Sequence, residues 1–102
     1  MTKYYIRWHL NPMTVPVNPE ERVKLWTTML EMVRADLKSG AFKDWGICND
    51  ISAGFCFSEL DEQMLHTAIT RYVPYVMFDI KPFLNVEQSI DSIKRAVAAT
   101  KK

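Results

Sequence analysis

The chain of 102 residues is 48% hydrophobic and 25% charged, a balance that fits one globular domain and excludes a disordered segment. Its 13 basic and 12 acidic residues leave a net charge of +1, without the basic excess that a nucleic-acid surface needs. No stretch approaches the roughly 18 apolar residues of a membrane span, and MTKYYIRWHLNP has no signal-peptide layout. The expectation is therefore a cytoplasmic protein with no membrane or nucleic-acid partner. Cys48 and Cys56 fit neither a zinc knuckle nor a CxxC pair, so both are read as free thiols and small buried hydrophobes.

In chain order, KYYIRWHL (3–10) alternates as a strand, with Tyr4, Ile6, Trp8 and Leu10 on one face and Tyr5, Arg7 and His9 on the other. After a loop with Pro12 and Pro16, Asn18-Pro19-Glu20-Glu21 starts a helix with Asn as N-cap and Pro in the first turn. Its apolar stripe is Val23, Trp26, Met29/Leu30, Val33 and Leu37, and Ser39-Gly40 ends it. FKDWGIC (42–48) and SAGFCFSE (52–59) flank Asn49-Asp50 and read as a hairpin. The second of these is expected to turn Ala53, Phe55 and Phe57 to one side, and Ser52, Gly54, Cys56 and Ser58 to the other.

A second helix, about 61–72, offers Leu65, Ala68, Ile69 and Tyr72 as its buried stripe. Between Pro74 and Pro82 the chain alternates again, with Val76, Phe78 and Ile80 opposite Tyr75, Met77, Asp79 and Lys81. Asn85 then caps a helix over 86–100 with Val86, Ile90, Ile93 and Val97 at helical spacing.

The order β-α-β-β-α-β followed by a helix predicts an α+β, ferredoxin-like sandwich: a four-stranded antiparallel sheet with two helices on one face. The domain core is 3–84 and the last helix an addition. The helices are expected to cover Ile6/Trp8, Ala53/Phe55/Phe57 and Val76/Phe78/Ile80. The uncovered face then carries Tyr5, Arg7, His9, Ser52, Cys56, Tyr75, Met77, Asp79 and Lys81, a mixture suited to a ligand cleft. A half-covered sheet of this kind calls for a second layer.

YYIRWHL, GFCFSELDEQMLHTAI and VPYVMFDIKPFL together resemble the dimeric α/β-barrel superfamily, in which two ferredoxin-like subunits pack their sheets into a barrel. The chain is most similar there to muconolactone isomerase-like small proteins and their uncharacterised relatives, over residues 3 to 84. The resemblance implies a homodimer, with further assembly open, around a pocket for a small aromatic or enol-like metabolite. It implies isomerase-like or cofactor-free oxygenase-like chemistry, and Arg7 matches a first-strand arginine of such isomerases. His9 stands where an acidic residue is expected.

On the residues alone, Arg7 is a holder of an anionic oxygen or an ion-pair partner of Asp79. His9 is a proton carrier or an ordinary strand-end histidine, and Asp79 is a general base if buried. Tyr5, Ser52, Cys56, Tyr75 and Lys81 complete the expected substrate-binding set. No metal set is visible, since His66 lies on the second helix away from the cleft. No cofactor motif of the nucleotide, zinc-protease or serine-hydrolase kind occurs either. The alternative is a non-catalytic ligand-sensing or structural dimer. A single-strand RNA platform would need Phe55 and Phe57 on the uncovered face, the opposite of the expected facing.

Overall fold

A computed structural model of the protein describes residues 2–100. The elements follow the order β1 (Lys3–Leu10), a 3-10 turn (Pro12–Thr14), α1 (Pro19–Ser39), β2 (Lys43–Ile47), β3 (Ala53–Ser58), α2 (Glu62–Thr70), β4 (Val76–Phe83) and α3 (Val86–Thr100). The strands form one sheet in the order β2-β3-β1-β4, and every neighbouring pair is antiparallel. This is the expected α+β arrangement and is compatible with a ferredoxin-like fold. Among the described residues no helix is long and apolar enough to cross a membrane.

Local chemistry places the ends of the elements. The Asn18 side chain accepts from the N–H groups of Glu20 and Glu21, at 2.8 and 3.3 Å, two of the orphan donors that begin α1. Gly40, at φ +85°, closes the helix in the left-handed region. Asp61 caps α2 through the N–H of Met64. Asn85 and Gln88 cap α3 reciprocally, each side chain accepting from the other residue's N–H at 2.8 and 3.0 Å. In the β2–β3 hairpin the turn is Cys48 to Ala53, and Ile51 sits at φ +68°.

The core lies between the sheet and the helices. Tyr4, Ile6 and Trp8 of β1 face it with Val76 of β4 and Leu65, Ala68 and Ile69 of α2. Two expectations are corrected. In β3 the register pairs Ile6 with Cys56, Tyr4 with Ser58 and Trp8 with Gly54, so Gly54, Cys56 and Ser58 point at the helices and Phe55 at the open face. The reason is volume: Trp8 lies over Gly54, where a Cβ would run into the indole and the Gly46 carbonyl. Large side chains cannot enter beside it.

In α1 the buried residues are Met29, Val33 and Asp36, while Val23, Leu30 and Leu37 are exposed. The helix is rotated so that Asp36 turns inward. Its Oδ2 accepts from the Tyr72 hydroxyl and from Arg71 Nη2, both at 2.6 Å, which satisfies a carboxylate that would otherwise be costly to bury.

α3 differs from the other helices in having no buried residue. Val86, Ile90, Ile93 and Val97 are all exposed to solvent.

Candidate functional site

The expected site residues fall into two groups. Tyr5, Arg7 and His9 of β1 and Asp79 and Lys81 of β4 share the uncovered face, with Arg7 opposite Asp79, Tyr5 opposite Lys81 and His9 opposite Met77. Arg7, His9, Asp79 and Lys81 are all exposed. Arg7 and Asp79 form no ion pair despite their register; among the described residues the ion pairs are Arg34–Glu31, Lys43–Glu59, Arg71–Asp36 and Arg95–Asp91. Around these charges lie aromatics: Tyr5 is 5.6 Å from Phe57, which is 5.6 Å from Phe83 and 6.2 Å from Phe55.

The remaining expected residues are elsewhere. Cys56 is on the helix side, 1% exposed. Burial, and then the nearby Asp36 carboxylate, push its thiol up to about 12 from 9.0, so it stays protonated and is no nucleophile at neutral pH. Cys48 is also a free thiol but is exposed in the hairpin, against the expectation that both are buried. Ser52 lies in the hairpin, its hydroxyl donating to Asp50 Oδ1 at 2.8 Å. Tyr75 precedes β4 and is exposed; its carbonyl accepts from the Asn11 N–H. Among the described residues no cluster of three or more His, Cys, Asp or Glu side chains is placed to hold a metal ion.

A second feature, absent from the expected set, lies on the helix side of the sheet. A cavity of about 220 Å³ is walled by Trp26, Met29 and Val33 of α1, Trp45 of β2, Trp8 of β1 and Phe78 of β4. All three tryptophans of the chain meet here. Trp8 and Trp45 are stacked with ring centroids 5.5 Å apart and planes 11° from parallel. The walls are almost wholly apolar, with Cys56 and Tyr72 among the lining residues; Trp8 Nε1 is buried, closed off from the cavity space, and no protein acceptor reaches it. A buried N–H without a partner is a rare and unfavourable thing for a fold to retain.

Each wall has a local cause. β1 directs Trp8 inward because its alternation puts Tyr4, Ile6 and Trp8 on one face. Gly54 leaves room for the indole. β2 carries a bulge between Lys43 and Gly46, with Asp44 at φ +53°, and Trp45 stands inside that irregular stretch. In the sequence the signal was present as three tryptophans in three amphipathic segments, but no spacing rule says that they converge.

No protein-family model matches the chain, and no curated protein is significantly similar to it. The likeness to muconolactone isomerase-like proteins thus has no sequence match behind it, and function has to be argued from the cavity and the open face.

Proposed function

We propose that the protein binds a small, flat, mainly apolar molecule in the cavity under α1. The observation that carries this reading is an apolar cavity walled by all three tryptophans of the chain. Binding sites of this kind are largely hydrophobic, with few polar groups that fix orientation. A cavity of about 150 Å³ holds benzene, so 220 Å³ suits roughly nine non-hydrogen atoms by the same ratio.

This retains the expectation of a small aromatic metabolite and relocates it. Arg7, His9 and Asp79 are water-exposed in the single chain, so no proton transfer is assigned to them. The titratable residues that line the cavity, Cys56 and Tyr72, are both held protonated by burial, so the cavity supports binding and assigns no reaction.

Acetophenone and cumene test it, since the two have the same number of heavy atoms and differ by a carbonyl oxygen in place of a methyl. The three indole N–H resonances in a ¹⁵N–¹H correlation spectrum report directly on the walls, and Trp8→Phe identifies the one from Trp8. Both probes are expected to shift indole resonances saturably, with a dissociation constant near ~1 mM or below, about 0.5 kcal/mol per heavy atom. Cumene, the more apolar of the two, should bind at least as tightly as acetophenone, whose carbonyl finds no donor in apolar walls. In Trp8→Phe, which removes part of one wall, cumene should bind more weakly. Indole resonances that do not saturate with either probe would sink the reading.

A further inference from the structure

The geometry points to a reciprocal homodimer in which α3 of each copy lies across the open sheet face of the other. This is independent of the cavity, which lies on the opposite side of the sheet.

The chain leaves two apolar surfaces without a partner. One is the α3 stripe, Val86, Ile90, Ile93 and Val97, between 43% and 67% exposed. The other is the open face, where Phe55 and Met77 are 41% and 49% exposed beside Tyr5 and Phe57. An isolated helix of 15 residues is marginal in water, and its stability comes from packing an amphipathic face. A sheet likewise needs a layer on each apolar face. The lengths agree: α3 is about 22 Å long at 1.5 Å per residue, and β1 about 27 Å at 3.4 Å per residue.

Area and shape give the same answer. A compact monomer of this mass exposes about 5,950 Å², whereas this chain exposes 7643 Å². The excess of about 1,700 Å² is close to twice the ~800 Å² that each partner contributes to a standard interface. Two such patches per chain are what a reciprocal exchange uses. The radius of gyration is 17.5 Å, and the extents are 65 × 25 × 23 Å, against about 13 Å expected for the radius of a compact domain of this length.

The occupant is a second copy rather than the same chain, because α3 leaves β4 after Leu84 and Asn85, buries no residue on its own chain and belongs to a molecule 65 Å long. The reciprocal Asn85–Gln88 cap fixes the helix start directly after those two residues. Pairing α3 with α3 would use barely two heptads and leave the aromatic face bare. The exchange covers both surfaces with one closed two-fold operation.

The test uses full-length chains and light-scattering mass. Wild type is expected at twice the 11.9 kDa chain mass, and Ile93→Glu and Phe55→Glu each at the mass of one chain. A mixture of the two variants is expected to regain dimer, because the intact arm of one meets the intact face of the other. Met77→Glu replaces Phe55→Glu if circular dichroism shows that the latter does not fold. Four results overturn the inference. In the first, Ile93→Glu stays dimeric, meaning that sheets pair with sheets. In the second, Phe55→Glu stays dimeric, meaning that helices pair with helices. In the third, the mixture stays monomeric. In the fourth, wild type is a monomer, including one that retains an oligothymidine on Tyr5, Phe55 and Phe57.

Discussion

Cys56 illustrates how one buried side chain links the core to pH. Folding holds its thiol up at about 12 against 9.0, because the anion would lie in apolar surroundings near Asp36. The unfolded thiol ionises first. Below pH 9 the contribution to stability is therefore complete, and it is lost as pH rises from 9 through about 12. One group of this kind removes stability at up to ~1.4 kcal/mol per pH unit. Tyr72 acts in the same direction at still higher pH, its hydroxyl held protonated by burial and by its bond to Asp36. Urea midpoints are expected to fall between neutral pH and pH ~10, and to fall less steeply in Cys56→Ala. An equal slope in that variant would assign the effect to other groups. The facing of Cys56 could not have been read from polarity alone. In AGFCFS the phenylalanines are the better hydrophobes, yet Gly54, Cys56 and Ser58 go inside because Trp8 on the adjacent strand fills the space above them.

At the scale of elements, Asp36 joins α1 to the end of α2. It holds Tyr72 and Arg71, and Arg71 also stacks over the Tyr72 ring at 5.5 Å. Asp36→Ala would leave the buried Tyr72 hydroxyl without its acceptor, at a cost of ~1–3 kcal/mol. Allowing ~4–8 °C per kcal/mol for a domain of this size, the melting temperature is expected to drop by roughly 5–20 °C. A drop of a degree or less would mean that the inward turn of Asp36 is not a stabilising contact. The same residue explains a misreading of α1. Of the expected stripe, Met29 and Val33 are buried and Trp26 packs against the core, but Val23, Leu30 and Leu37 are exposed and Asp36 turns inward instead; a buried carboxylate is invisible to a hydrophobic pattern. α2, whose Leu65, Ala68, Ile69 and Tyr72 carry the signal without a polar competitor, was legible residue by residue.

At the scale of the whole molecule, the chain buries one sheet face under α1 and α2, and leaves the other face and α3 exposed. If a second copy covers both, folding and association are coupled by mass action. The melting temperature is then expected to rise with protein concentration, and Ile93→Glu to abolish that dependence. A concentration-independent transition in wild type would place folding within the single chain.

The sequence by itself determined the element order, the three helix starts, the hairpin, and the faces of β1 and β4. Those follow from contacts within a few residues: a cap side chain reaching a nearby N–H, or an alternation that one strand displays unaided. Only the tertiary structure decided which side of β3 is the inside, that Asp36 is buried, and that three distant tryptophans enclose one cavity. Each of these depends on how much volume and which hydrogen-bond partners neighbouring elements offer, quantities that no segment carries alone.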